Sequence, residues 1–351
     1  MAKISDVAKL AGVSKGTVSN VFSMKRRVSE AVRERVLQAA SELNYTPNHI
    51  ARSLTTKQTM IIGLKMPKSQ GLNLGEFHAN LLNGVVITAA EQNYRVIIDI
   101  LSPEAVGLPY ATVEPLDGVI ILDPIENDDR ITQLHQRNIP FVVIGSPNNP
   151  NIEGNILSVD NNNEEMVYQV CELLIEKGHR KILFLNASCQ QTVAKERKDG
   201  FFKAFQTHGL PYQEAFNFYK PNKLGDPIAY GYEATLKFFK SGVKEAYTAI
   251  IADADRVALG VLQALKELGK KIPEDISLIA LSNDLPSAKE LGFNLTTIDL
   301  QAFNLGVEAV GLLFENMTKN AHAKRDKITV PAVLNHGESL RDIVVDQVDE
   351  R

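Results

Sequence analysis

Residues 4–22 read ISDVAKLAGVSKGTVSNVF, two helical patterns separated by Gly12, Val13 and Ser14. Ile4, Val7, Ala8 and Ala11 recur at the i, i+3, i+4, i+7 spacing of a single buried stripe, which predicts a short amphipathic helix. Gly12 ends that helix, because glycine takes the left-handed conformation past a last turn at little cost. Val13 plugs the corner, and Ser14 suits the N-cap of the next helix. Two short helices joined by so tight a turn predict a helix-turn-helix.

In the second helix Val18, Val21 and Phe22 face inward, leaving Lys15, Gly16, Ser19 and Asn20 on the other side, with Thr17 a further contact candidate. Small residues permit close approach to the major groove, and a few polar ends can meet base edges. A third helix is predicted within VSEAVRERVLQAASELNY, capped by Ser29, with Val32, Val36, Ala40 and Leu43 inside. Arg33 and Arg35 stay outside and, with Lys25, Arg26 and Arg27, form a phosphate-contacting rim. In YTPNHIARSLTTKQT, Pro47 fits a first helical turn, and the residues from Asn48 predict a helix too short to be stable alone. Asn48 and Arg52 are contact candidates there, and Leu54 can wedge between base steps in the minor groove.

Charge divides the chain in the same place. Up to residue 60, ten Lys or Arg stand against four Asp or Glu, a balance of +6; the remainder carries 28 against 38, a balance of −10, and the sum is the net −4. A basic head on an acidic body suggests a polyanion-binding module joined to one that does not bind polyanions. The 351 residues suffice for several cores. The start MAKISDVAKL has no signal-peptide pattern, so a cytoplasmic location is expected. Cys171 and Cys189 are expected to be reduced core thiols.

Beyond residue 60, apolar runs alternate with helical patterns: MIIGLKM, RVIIDIL, GVIILD, FVVIG, KILFLN, TAIIAD and ISLIAL. Such runs spaced by amphipathic helices predict parallel sheets covered on both faces, hence two Rossmann-like α/β subdomains. No P-loop, G-x-G-x-x-G, G-x-S-x-G or H-E-x-x-H occurs, and the seven histidines lack metal-ligand spacing. Catalysis, a cofactor and a metal are not expected.

The headpiece segment, RVSEAVRERVLQAASELNYTPNHIARSL and TMIIGLKMP follow one another as in LacI/GalR-type bacterial transcription regulators, and the resemblance continues to VPAVLNHGES. It implies a helix-turn-helix headpiece at 1–46, a hinge and linker at 47–60, and a periplasmic-binding-protein-like core at 61–340 before a tail at 341–351. Within the core it implies an amino-terminal subdomain of about 61–159 plus 287–320 and a carboxyl-terminal one of about 160–286 plus 321–340, joined by three crossovers around a ligand cleft. Lys15 and Gly16 then match the first recognition-helix contacts, Asn20 a base-reading position and Leu54 the intercalating hinge leucine. Most members carry SRV where this chain has SNV, and asparagine pairs better with adenine than arginine does.

By the same resemblance Arg197 matches an arginine that holds effector hydroxyl or carboxylate groups, and Phe77 is a further cleft candidate. Asp255 stands at the usual aspartate of an Ala-Asn-Asp run, with Ala254 where asparagine is common and Asp253 nearby. In LIALSNDLP, Asn283 and Asp284 are candidates, although one alignment puts Ser282 at the first position. These substitutions depart from ordinary sugar recognition. KSQGLNLGEFHANLLNG is longer than the family norm, and the crossover at 102–116, with three prolines, is shorter. The resemblance implies a repressor that binds a pseudo-palindromic operator as a homodimer and answers to a sugar or related metabolite, or alternatively to a protein corepressor. The tail has too few heptads for a tetramerising coiled coil.

Overall fold

A computed structural model describes residues 2–23, 26–45, 58–67, 75–101, 116–221, 226–240, 247–282, 294–318 and 326–343. The chain divides into two compact units, Met1–Met60 with Pro115–Asp117, and Ile61–Glu114 with Gly118–Arg351.

The first unit contains α1 (Ile4–Leu10), α2 (Lys15–Ser23) and α3 (Glu30–Glu42). Gly12 has φ +64°, the left-handed conformation that closes the turn. Ser14 caps α2, its Oγ accepting from the Thr17 amide at 3.0 Å. Ser29 holds the corresponding position before α3 without a side-chain hydrogen bond. Val7, Ala8, Ala11, Val18, Val21, Val36, Ala39 and Ala40 are buried together, and Phe22, Val32 and Leu43 pack against them. So small a core works because alanine and valine let three short helices approach closely. At the end of the unit Asp117 holds the linker: its Oδ1 accepts from the Thr59 amide at 2.7 Å and hydroxyl at 2.9 Å, and its Oδ2 from the Met60 amide at 2.9 Å.

The second unit carries two six-stranded sheets. In chain order it contains β1 (Ile61–Pro67), α4 (Glu76–Glu91), β2 (Arg95–Leu101), β3 (Gly118–Leu122), α5 (Asp129–Gln136), β4 (Phe141–Ile144) and β5 (Ser158–Asp160). There follow α6 (Asn163–Glu176), β6 (Ile182–Asn186), α7 (Thr192–Thr207), β7 (Asn217–Tyr219), α8 (Pro227–Lys240), β8 (Ala249–Ala252), α9 (Asp255–Glu267) and β9 (Ser277–Ala280). The last are β10 (Thr296–Asp299), α10 (Ala302–Met317), β11 (Lys327–Thr329) and β12 (Val333–Asn335). The first sheet has the order β11-β5-β4-β3-β1-β2 and is parallel throughout. The second has the order β12-β10-β9-β8-β6-β7, parallel except for the antiparallel β10–β12 pair. Ile120, Ile121, Phe184, Ile250 and Ile279 are fully buried on central strands, which is why those strands read as continuous apolar runs.

All seven strands predicted in the body are present. The domain boundaries need correction. The sequence reading places 287–320 in the first subdomain and 321–340 in the second, whereas β10 lies in the second sheet and β11 in the first. The later crossovers therefore fall between β10 and α10, which packs on the first sheet, and between β11 and β12. Hydrogen bonding decides this: Asn161, at the remaining crossover, donates from Nδ2 to the carbonyls of Leu300 (3.2 Å) and Val330 (2.8 Å), tying the three passages together. Cys171 is buried as expected, but Cys189 is exposed in the loop after β6 and is not a core thiol. The shortened crossover, apart from Leu116, lies outside the described residues, as do residues 68–74.

Close helix crossings fix the first subdomain. A Cβ on Gly84 of α4 would stand 2.2 Å from the Phe303 carbonyl oxygen, and one on Gly306 of α10 would stand 2.4 Å from that of Leu81. Only backbone is in the way, so no rotamer change relieves the clash. Gly306→Val is expected to destabilise by about 3 kcal/mol or more, at the upper end for overpacking. Urea unfolding measures it, and a loss under about 1 kcal/mol would show that the helices can slide apart freely.

Candidate functional site

On α2, Lys15, Gly16 and Ser19 are exposed, and Thr17 and Asn20 are partly buried. All five therefore lie on or beside the open face opposite Val18 and Val21. The Thr17 hydroxyl is 2.9 Å from that of Ser14, so capping occupies it. Arg33 is half exposed and stands 3.8 Å from Glu30, a surface pair that contributes little to stability. Asn48, Arg52 and Leu54 lie outside the described residues.

The second candidate site is the cleft between the two sheets, at the carboxyl ends of their strands, where open α/β sheets bind ligands. Its rim is stitched by backbone: Ile125 and Gln191 form an antiparallel bridge, the Thr192 amide donates to the Pro124 carbonyl at 3.2 Å, and the Glu126 amide donates to the Gln190 carbonyl at 3.3 Å. From the first subdomain come Phe77 and His78 in the first turn of α4 and Asp123 after β3. Phe77 is partly buried and packs against the cores of both sheets. His78 Nε2 is 3.4 Å from Asp123 Oδ2. Burial would lower the His78 pKa, but the hydrogen bond and charge of Asp123, with the charge of Asp255, leave it raised. Burial would raise Asp123, yet His78, Arg130 and Lys220 together hold it low.

Asp123 is positioned from behind. Its backbone is left-handed (φ 50°), and its carbonyl accepts from Arg130 Nη2 at 3.0 Å. The same guanidinium reaches the carbonyls of Lys65 and Leu122 at 3.3 and 3.1 Å, closing the ends of β1 and β3.

Asp160, at the end of β5, accepts from the Asn161 amide (2.8 Å), the Ser146 hydroxyl (3.2 Å) and Asn163 Nδ2, which is 3.2 Å from each of its oxygens. The same Asn163 amide also reaches Glu196 Oε2 at 3.3 Å. Burial and the Glu196 charge push the Asp160 carboxyl up to about 7. Arg197, 7% exposed, donates from Nε to Asn163 Oδ1 at 3.4 Å and from Nη1 to the Asp253 carbonyl at 3.3 Å. Both contacts are long, and most of its donors are not spent on the described residues.

Asp253 follows β8, and its Oδ1 is buried without a hydrogen-bond partner among the described residues. Burial raises its pKa against the pull of Arg197 and Lys220. Asp255 opens α9 and accepts from the Arg256 amide at 2.7 Å; burial and the Glu76 charge outweigh Arg256 and leave it raised. Asn283 and Asp284 lie outside the described residues, while Ser282 is buried with an Oγ that has no partner among them.

Arg197, Asp255 and Phe77 are thus brought to one cleft. Sequence reasoning missed His78, Asp123, Asp160, Glu196 and Lys220. The available signal was a polar residue directly after a predicted strand, as in GVIILD. Among the described residues no cluster of His, Cys, Asp and Glu could hold a metal, and no helix is long and apolar enough to cross a membrane.

Residues 3–48 match the bacterial regulatory proteins of the lacI family, and residues 171–340 match a periplasmic binding protein-like domain. The NTD biosynthesis operon regulator NtdR of Bacillus subtilis is 31% identical over 347 residues, 97% of this chain and 100% of that protein. The HTH-type transcriptional repressor PurR of Mannheimia succiniciproducens is 30% identical over 349 residues, 98% of this chain and 100% of that one. Among solved structures, a lac repressor dimer bound to operator and the anti-inducer ONPF shares the fold at a TM-score of 0.81 and 24% identity, over 97% of this chain and 99% of that one. With a headpiece and a two-sheet core in place and full-length relatives that regulate transcription, the chain belongs to the LacI family of bacterial regulatory proteins: it is a DNA-binding transcription regulator and not an enzyme.

Proposed function

We propose that the chain is a repressor that binds a pseudo-palindromic operator as a homodimer, with affinity set by a small effector in the cleft. The supporting observation is the open face of α2, where Lys15, Gly16 and Ser19 are exposed beside Asn20. A single headpiece of this size binds weakly, and two on a symmetric site reinforce each other. The cleft supports a small molecule over a protein corepressor, because its unpartnered groups among the described residues, Asp253 Oδ1 and Ser282 Oγ, are buried where a protein surface cannot reach without opening the subdomains. The effector acts through its differential affinity for two arrangements of the core. Asn48, Arg52 and Leu54 are proposed as hinge contacts, Arg33 as a phosphate contact, and Asn283 and Asp284 as further cleft residues.

The test is binding-site selection followed by fluorescence anisotropy on the full chain. Wild type is expected to select a symmetric site, and Asn20→Arg to change the preferred base at one position of each half-site. On the wild-type site that variant should lose about 1–3 kcal/mol per half-site. An unchanged preference would remove Asn20 from base reading, and selection of an asymmetric site would remove the dimer.

A further inference from the structure

Among the described residues the cleft is short of positive charge. Around Arg197 and Lys220 stand Asp123, Asp160, Glu196 and Asp253, and among the described residues only Asp123 of these four has a basic side chain within hydrogen-bond reach, His78. Asp160 and Glu196 share a single neutral amide, that of Asn163. Asp253 keeps one buried oxygen without a donor, and Ser282, 3% exposed at the end of the adjoining strand, has a hydroxyl with no partner among the described residues. Asp255 receives a backbone amide, and Glu76 adds a further negative charge beside it.

Among the described residues Arg197 is outnumbered where it stands. The Arg197 guanidinium feels the negative charges of Asp253, Asp160, Glu196 and Asp123, so an anion reaching for it would enter among carboxylates. Lys220 in turn pulls the Asp123 and Asp253 carboxyls down. Buried acceptors without donors and uncompensated carboxylates are costly, and a ligand that supplies both donors and positive charge relieves them together. An ammonium group brings three donors and one charge.

We infer that the effector is a small hydroxyl-bearing metabolite with a protonated amine, of the amino-sugar or aminocyclitol type, whose ammonium group binds at the Asp253 carboxylate, where Oδ1 is buried without a donor among the described residues. This rests on the reading of the cleft as the effector site. Arg197 then serves the hydroxyl-bearing part of the ligand, and the carboxylates select its charge. Such selection is strong because a neutral analogue leaves the buried carboxylates as they were.

The experiment is a thermal-shift and calorimetric screen of the full chain with matched sets: hexosamines and aminocyclitols, each beside its neutral hydroxyl counterpart and its phosphorylated counterpart. An amine-bearing member is expected to raise the melting temperature where its two counterparts do not. Asp253→Asn is expected to weaken that member by about tenfold or more, and Asp253→Ser serves as a second variant if the first does not fold. A neutral or phosphorylated member that binds in preference, with the shift lost on Arg197→Ala, overturns the charge assignment while the cleft reading stands. Silence from every set, with the chain folded, overturns the cleft reading and the assignment with it.

Discussion

Replacing Asp128 by Ala is expected to destabilise the core by about 3–5 kcal/mol, the range for leaving one member of a buried ion pair without its partner. The Asp128 carboxylate receives Arg130 Nη2 at 2.6 Å and Arg130 Nε at 3.0 and 3.2 Å, and both residues are buried. It also caps α5, accepting from the Arg130 amide at 2.9 Å. Without it the guanidinium would have only the carbonyls of Lys65, Leu122 and Asp123. The consequence reaches the cleft, because Arg130 holds the backbone from which Asp123 meets His78. Urea unfolding of Asp128→Ala and of Asp128→Ala/Arg130→Met separates the causes. The double variant is expected to be the more stable of the two, since it removes the orphaned charge. A single variant within about 1 kcal/mol of wild type would show that solvent reaches Arg130 freely.

Asp160→Asn is expected to gain on wild type as pH rises. The folded-state carboxyl, pushed up to about 7, lies above its ordinary value of 3.8, so the folded chain keeps a proton that the unfolded chain has lost between those pH values. Its cost is absent below the unfolded pKa, grows through the interval and is complete above about 7. At 1.36 kcal/mol per unit, the difference between variant and wild type should widen by roughly 3 kcal/mol from pH 5 to pH 8. Taking the difference between the two proteins removes His179, which burial holds down to about 4 and which acts with the opposite sign. Paired denaturant titrations at the two pH values read the result. A constant difference would mean that Asp160 is ionised in the fold throughout.

The headpiece was legible because its instructions are local. Val7, Ala8 and Ala11, the left-handed Gly12 and the Ser14 cap act within a few residues of one another. The seven apolar strands were equally plain, since burial of central strands on both faces demands unbroken apolar runs. β5, β7, β10, β11 and β12 were not. Short strands of mixed polarity such as SVD and KIT carry no apolar run of their own and are strands only because a neighbour pairs with them. Their sheet membership, and with it the two later crossovers, depends on contacts such as Asn161 to Leu300 and Val330.

The sequence by itself determined the fold class and the basic headpiece, and it offered Arg197, Asp255 and Phe77 as cleft candidates through the family resemblance. Only the tertiary structure joined His78 to Asp123 across 45 positions and Asp160 through Asn163 to Glu196. Periodicity records which face of an element is buried. It does not record which loop ends meet over a cleft, because that depends on how two sheets are ordered and tied at their crossovers.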